Sequence, residues 1–326
     1  MEEKKEIRNI GILTSGGDAP GMNAVVRAIV RGAVYHGYHT FGVRRGFHGL
    51  WRGDIIELNP RLVSDKLQRG GTFLMTARSK TFNSPEGVAK GIEMSKIFNL
   101  DTLVTIGGDG TFRGARDLCQ QGFPVIGIPA SIDNDIACTD YSVGYDTAMN
   151  TAMEAIDKLR DTASSHERCS VIEVMGRKAG YIALNVGISC GAEVVMIPEV
   201  EHDFQKDVIK PLLEARNRGK KHYIVIVAEG CSHATEVAEH IEEITGIEAR
   251  PTILGHLQRG GSPTVRDRYM ASMMGLHAVD CIRQNRLNRI IAYKDGHLLD
   301  VDLMEAMDMT KTIDPDEVNK ARILST

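Results

Sequence analysis

At 326 residues the chain is longer than one hydrophobic core usually serves, so two domains are expected. An apolar fraction of 42% and a charged fraction of 25% place it among ordinary soluble globular proteins. Its 39 basic and 43 acidic residues leave a net charge of −4, which excludes a surface built for non-specific nucleic-acid binding.

The opening "MEEKKEIRN" is charged throughout and has no apolar signal stretch, and no run approaches the ~18 apolar residues of a membrane span. Six scattered cysteines, none in CxxC spacing, read as small, reduced core residues of a cytoplasmic protein. Along the chain, "IRNIGILTS" reads as a buried strand and "MNAVVRAIVRGAVYHG" as a helix that stops at Gly37. Helical "EGVAKGIEMSKIFN" precedes the strands "DTLVTIG" and "FPVIGIP", and helical "AMNTAMEAIDKLRDTA" follows them. Next come the strands "CSVIEVM" and "EVVMIPE", helical "FQKDVIKPLLEARNRG", and the strands "HYIVIVAEG" and "RIIAY". Continuous apolar strands alternating with helices define an α/β protein whose mostly parallel sheets are covered on both faces. Its ligand loops then belong at the carboxyl ends of the strands. Two echoes, "TSGGD" with "TIGGD" and "QRGGT" with "QRGGS", suggest pairs of loops with similar backbone duties.

Three strand-end loops carry the chemistry. "TSGGDAPGMNAVVR" opens a helix with Gly16, Gly17 and Gly21, which allow close backbone approach to an anion at the helix start. It is neither a Walker A loop nor a GxGxxG fingerprint. "TIGGDGTFRGA" surrounds Asp109 with Gly107, Gly108 and Gly110, and Thr111 is available as a helix N-cap. One carboxylate in phosphate-sized glycine space suits Mg²⁺, which takes one or two carboxylates plus phosphate oxygens. GGDG loops resemble those of NAD and diacylglycerol kinases, so this loop says phosphoryl transfer without naming a substrate. "PASIDNDI" sets Asp133 and Asp135 two residues apart where a buried strand has ended. One of the two can accept a proton while the other organises a metal. An exposed Asp titrates near ~3.9 and is ionised at neutral pH.

Cations accompany these loops: Arg69, Arg78 and Lys80; Arg168 and Arg177; Arg250, His256 and Arg259. Guanidinium groups match phosphate oxygens bidentately. Met270, Met273 and Met274 fit the core face of a helix, and Arg27 and Arg31 stand one turn apart on a helix face.

Taken together, "LTSGGDAPGMNA", "RGGTF…AR", "IGGDGT", "SIDNDI…TD", "DTASSH", "EVMGR", "AEG" and "LGHLQRGGSP" closely resemble the prokaryotic-type ATP-dependent 6-phosphofructokinases, over Ile7 to Tyr293. The resemblance implies two doubly wound, mostly parallel-sheet (Rossmann-like) domains, discontinuous in sequence, with the active site between them. Residues 1–144 with 258–307 form the larger, ATP-binding domain; residues 145–257 with 308–326 form the sugar-phosphate domain. It further implies a cytoplasmic homotetramer, allosterically regulated, that uses Mg²⁺ to phosphorylate the 1-hydroxyl of fructose 6-phosphate in glycolysis. By matching motif positions, ATP is held by Gly17, Arg78, Ser79, Gly108, Asp109, Gly110 and Thr111. Fructose 6-phosphate is held by Ser131, Ile132, Asp133, Met175, Gly176, Arg177, Glu229, His256, Leu257, Gln258 and Arg259, with Arg168 and Arg250 reaching the sugar phosphate from a neighbouring subunit. Asp133 is the implied base, Asp109 and Asp135 support the metal, and Arg78, Arg177 and Ser131 assist the transfer. An effector pocket for ADP or phosphoenolpyruvate is implied at Arg27, Arg31, Arg160, Gly191, Ala192, Glu193, Arg218, Lys220, Lys221 and His222.

Two departures bear on these expectations. Asn59-Pro60 replaces an Asp-Arg pair, which touches the strength and sign of effector control. "PASIDND" replaces "PGTIDND": Ser131 keeps the hydroxyl, while Ala130 stands where pyrophosphate-using relatives carry Lys, and Gly110 where they carry Asp. A pyrophosphate-dependent phosphofructokinase is therefore the competing enzyme. A non-catalytic metabolite sensor is the competing reading of another class, although such a protein is expected to lose the carboxylates retained here.

Overall fold

The computed structural model describes residues 7–79 and 81–325; Lys80 and the start of the charged leader lie outside the described residues. The chain divides into two compact units. The first runs through Ile132 and resumes over Ile136–Asp146 and Arg259–Lys311; the second takes Asp133–Asp135, Thr147–Gln258 and the chain from Thr312 onward.

The first unit begins with β1 (Asn9–Thr14), α1 (Met22–Tyr35), β2 (His39–Val43), α2 (Gly46–Arg52), β3 (Ile55–Leu58), α3 (Pro85–Ile97), β4 (Thr102–Gly107), α4 (Asp109–Gln120) and β5 (Val125–Pro129). The second takes most of α5 (Tyr145–His166), then β6 (Cys169–Val174), α6 (Tyr181–Cys190), β7 (Val194–Met196), α7 (Lys210–Asn217), β8 (Tyr223–Ala228), α8 (Ala234–Thr245) and β9 (Ala249–Ile253). The chain returns to the first unit for α9 (Val265–Arg283), β10 (Arg289–Lys294), β11 (His297–Asp302) and α10 (Leu303–Asp308), and α11 (Pro315–Leu324) belongs to the second.

In the first unit the strands form one sheet in the order β11-β10-β5-β4-β1-β2-β3. It is parallel except at its edges, where β3 and β11 run antiparallel to β2 and β10. From β1 the chain winds to β2 on one side and to β4 on the other, so the switch point lies at the carboxyl ends of β1 and β4. The second unit has a four-stranded parallel sheet, β7-β8-β6-β9. This is the expected doubly wound α/β class.

Helix starts follow their local chemistry. Ser84 accepts the Gly87 N–H ahead of Pro85 at the start of α3, Thr264 accepts the Asp267 N–H at the start of α9, and Asp314 precedes Pro315 in α11. The helical stretch "FQKDVIKPLLEARNRG" does not form one α-helix. Phe204–Ile209 is a π-helical turn and α7 starts only at Lys210, because Pro211 offers no N–H and its ring crowds the preceding turn. Strand "EVVMIPE" reduces to the three residues of β7. The strands β2, β3, β9 and β11 are short and partly exposed, and β3 and β11 lie at an edge, so none shows a continuous apolar run.

Each unit has its own core. Leu13, Val43, Phe47, Leu103, Phe112 and Val125 pack in the first; Val171, Val208, Leu212, Val225 and Ile241 pack in the second. Met270 and Met274 face the interior and Met273 is half-buried. All six cysteines are free, and burial pushes the thiols of Cys138 and Cys190 up to about 11, so both stay protonated and inert at neutral pH. Among the described residues no helix is long and apolar enough to cross a membrane.

The first core is tightly packed where β5 passes α4: a Cβ on Gly127 would stand 2.7 Å from the ring of Phe112. Gly127→Ala is expected to destabilise the first unit by about 1–3 kcal/mol, the usual cost of overpacking. Urea unfolding followed by fluorescence checks it, and an unchanged midpoint contradicts it.

Candidate active site

In the first unit the echoed loops are neighbours. β1 and β4 pair in parallel register, Thr14 beside Ile106, so "TSGGD" and "TIGGD" leave the sheet at one level. The Ser15 N–H donates to the Ile106 carbonyl at 3.0 Å. Gly107 has no room for a side chain: a Cβ there would lie 2.3 Å from Thr111 Oγ1 and 2.4 Å from the Ser15 carbonyl. The "QRGG" echoes also meet, since a Cβ on Gly70 would stand 2.2 Å from the Gly261 carbonyl. Buried Asn23 holds the first of these loops by donating to the Arg69 and Gly70 carbonyls and accepting from the Phe73 N–H. Thr76 donates to the Gly16 carbonyl at 2.8 Å, tying the "RGGTF…AR" segment to the first loop.

Thr111 is not the N-cap of α4. Gly108 holds that position, with no side-chain cap, and Thr111 lies one turn in. The close approach of Gly107 to Ser15 turns the chain into the helix early, and Thr111 Oγ1 ends buried with no hydrogen-bond partner. Asp109 is half-exposed at the first helical position and pairs with Arg113 one turn on, while a side chain on exposed Gly110 would meet nothing within 4 Å. Arg78 is exposed, and Ser79 Oγ lies 3.1 Å from Thr81 Oγ1. Gly17 backs onto Arg259, whose Nη1 would lie 2.5 Å from a Cβ at that position. Ser131 stands beside Gly108, and its carbonyl accepts from Ser142 Oγ at 2.5 Å. Ile132 is fully buried behind it.

In the second unit the ends of β6, β8 and β9 lie side by side. Asp133 is only 3% exposed. Arg177 Nε lies 3.9 Å from its Oδ2. Arg177 has left-handed backbone, φ 55°, a conformation a non-glycine residue adopts only when held. Glu229 holds it, with Oε1 accepting the N–H groups of Gly176 and Arg177 at 3.2 and 2.8 Å. The Met175 N–H donates to Gln258 Oε1 at 2.9 Å, so the motifs "EVMGR", "AEG" and "GHLQR" are laced together. His256 and Leu257 are exposed in the same 3₁₀ turn as Gln258. Asp135 is half-buried; its charge, after burial and Glu199, helps push the Tyr181 phenol up to about 12.

Arg168 and Arg250 are not part of this cluster. Arg168 precedes the first residue of β6 and Arg250 pairs near that same amino end, whereas Met175–Arg177 follow its last residue. Six residues of strand separate the two groups by about 20 Å. Both arginines lean on Glu248, which holds its carboxyl below the usual range through the hydrogen bond from Arg168.

The implied effector residues also divide by unit. In the second, Arg160 donates to the Cys190 carbonyl, Gly191 terminates α6 in left-handed conformation, and Ala192 leads to buried Glu193. Glu193 is engaged by Lys220 and by the Ile224 N–H, and Lys221 pairs with Glu167 at 2.8 Å. Arg218 ends α7, with His222 half-buried before β8. In the first, Arg27 and Arg31 lie on α1; burial and then Arg31 push the Arg27 guanidinium down, and its Nε is buried without a partner.

A metal must find its ligands among these groups. Among the described residues the single His/Cys/acid trio close enough to chelate is His277, Cys281 and Asp300. Asp300 is already claimed by Arg286 and Arg289, which makes that trio an ion-pair network and not a metal cage. The Asp109 carboxylate and the unpartnered Thr111 hydroxyl fit a hard cation that takes most of its ligands from phosphate and water.

Glycine loops at a sheet switch point, a carboxylate for a phosphate-bound cation, and a buried carboxylate with an arginine define a phosphoryl-transfer enzyme. The model of the family described as "PFK: Phosphofructokinase" matches residues 9–282, and the chain belongs to the phosphofructokinases. It is 50% identical to the ATP-dependent 6-phosphofructokinase of Brevibacillus brevis over 98% of this chain and 100% of that one. To the enzyme of the same name from Clostridium botulinum strain Loch Maree it is 48% identical, over 98% and 100%. The Pichia pastoris phosphofructokinase in the T-state superposes with a TM-score of 0.89 at 32% identity, covering 94% of this chain and 38% of that one. The pyrophosphate-dependent phosphofructokinase of Marinobacter aquaeolei shares the fold, with a TM-score of 0.86 at 20% identity over 98% and 91%. Enzymes of this family act with a divalent metal.

Proposed function

We propose that the protein transfers the γ-phosphoryl group of ATP to the 1-hydroxyl of fructose 6-phosphate, in the cytoplasm, with Mg²⁺ as the metal. The first unit holds the nucleotide through Gly17, Arg78, Ser79 and the Gly108–Thr111 turn, and the second holds the sugar phosphate. The observation that carries this reading is Asp133, a buried carboxylate 3.9 Å from Arg177 in a turn fixed by Glu229. Asp133 accepts the proton as the hydroxyl oxygen forms its bond to the γ-phosphorus and the bond to the β-phosphate oxygen breaks. Arg177 and Arg78 balance charge on the moving group, and Ser131 orients the acceptor. Asp109 and Thr111 would hold Mg²⁺, with Asp135 as the further carboxylate; when bound, the ion would supply charge neutralisation at the phosphate oxygens. ATP over pyrophosphate is supported by the names of the half-identical relatives and by the open space at Gly110.

A coupled assay with fructose 6-phosphate and Mg²⁺ is expected to turn over with ATP and not with pyrophosphate. In it, Asp133→Ser lowers kcat by about 10²–10⁴-fold, the usual worth of a general base, with both KM values little changed. Turnover with pyrophosphate would reverse the donor, and near-full activity of Asp133→Ser would remove the base.

Arg168 and Arg250, at the far end of β6, are assigned to the sugar phosphate of a neighbouring subunit in a homotetramer. Inactive Asp133→Ser subunits mixed with impaired Arg250→Ala subunits are then expected to regain activity, because some interfaces carry both wild-type halves. No recovery after verified subunit exchange would contradict shared sites.

The effector set is assigned to ADP or phosphoenolpyruvate, supported by the buried, unpartnered Nε of Arg27. Titrating each against the fructose 6-phosphate saturation curve is expected to shift its midpoint, and Arg27→Ala to abolish the shift. Flat responses to both would refute regulation through these residues.

A further inference from the structure

We infer that Asp267 is a positioning residue for phosphoryl transfer: from the first turn of α9 it clamps the segment 139–146, which in turn fixes the loop carrying Ser131. The inference rests on the reading of Ser131 given above.

Asp267 is fully buried, and its Oδ1 accepts from the Tyr141 hydroxyl at 2.5 Å and from the Gly144 N–H at 2.7 Å. These anchors straddle Ser142 and Val143, the two residues that touch the catalytic loop. Ser142 Oγ donates to the Ser131 carbonyl at 2.5 Å, and the Val143 N–H donates to the Pro129 carbonyl at 3.0 Å. Val143 also presses on the nucleotide loop, where a Cβ on Gly21 would meet its Cγ1 at 2.6 Å. The clamp has its own support: Thr264 Oγ1 accepts the Asp267 N–H at 3.2 Å and bonds Asp146 Oδ2 at 2.6 Å. Burial and the Asp267 charge push the Tyr141 phenol far up, so it remains a donor, and Arg266 lies 5.1 Å from its ring centroid. One carboxylate therefore holds two points of a segment that contacts both the Ser131 loop and the Gly21 loop. None of these residues needs to touch substrate; each acts through the position of Ser131.

The test compares Tyr141→Phe, Ser142→Ala, Asp267→Asn and the double variant Ser142→Ala/Asp267→Asn, each as the intact oligomer. Misplacing a catalytic group slightly can cost about 10²-fold, so each single variant is expected to lower kcat by about 10–100-fold with the KM for ATP within about two-fold. The double variant is expected to fall no further than the worse single one, because both changes act through one chain of contacts. Melting temperatures would add where the kcat losses do not, which a purely structural role cannot produce. Unchanged kcat in Ser142→Ala and Tyr141→Phe, or losses that multiply in the double variant, would overturn the inference. If Asp133→Ser abolishes turnover while these variants keep it, only this inference fails; if Asp133→Ser keeps turnover, the reading of the site itself fails.

Discussion

The donor side of the protein depends on a missing carbon atom at Gly107. Parallel register brings the ends of β1, β4 and β5 level, with Thr14 beside Ile106 and Gly107 beside Pro129. Gly107 lies between the other two: its carbonyl accepts the Ala130 N–H, and its Cα faces the Ser15 carbonyl and the Thr111 hydroxyl. Any side chain would collide with both, so the strand ends could not close up. Their closeness places the Thr111 hydroxyl in a buried position against Gly16 and brings Ser131 beside Gly108. The loops proposed to hold the nucleotide and its metal, and the start of the loop carrying Ser131, follow from that packing.

Much of this was legible in the sequence, for identifiable reasons. Strands buried on both faces are continuous apolar runs, so β1, β4, β5, β6 and β8 announce themselves, and all but β5 reach a glycine within two residues of their end. Edge and partly exposed strands carry no such signal: β11 reads "HLLDVD", with no fully buried position. Thr111 looks like a cap from spacing alone, and only the collision at Gly107 moves the helix start forward to Asp109. Asp267 is the last residue of a Thr-x-x-Asp capping pattern, a signal visible in "PTVRDR", but its partners Tyr141 and Gly144 are more than a hundred residues away in the chain. No spacing rule reaches that far.

Charge was legible as composition but not as pairing. The sequence presents Arg168, Arg177 and Arg250 alike, whereas the fold separates them by the length of a strand and gives Arg168 and Arg250 a shared carboxylate in Glu248. Glu193, one of the implied effector residues, is spent on Lys220 and a backbone N–H. Removing Lys220 would leave the buried Glu193 carboxylate without its cation, so the first duty of the pair is to tie the turn between α6 and β7 to the start of β8.

The two sides of the reaction are built with different stiffness. On the acceptor side Asn134 and Arg177 both adopt left-handed backbone, at φ 51° and 55°, and the strain at Arg177 is contained by two hydrogen bonds to Glu229 and by Gly230, where a Cβ would stand 2.0 Å from the Arg177 carbonyl. In the first unit Gly16, Gly17 and Gly110 are exposed, with open space beside Gly110, and Asp109 pairs with a solvent-exposed arginine one turn away. Such a pair contributes little and is easily exchanged for a metal-bound phosphate. A base must meet one particular hydroxyl at hydrogen-bond distance, so on the proposed role of Asp133 its fixed setting beside Arg177 avoids reorganisation during the reaction. A nucleotide with its metal brings its own charge and geometry, and a loop that yields to it suffices. Two left-handed residues, Asn134 and Arg177, thus lie beside the carboxylate proposed as the base.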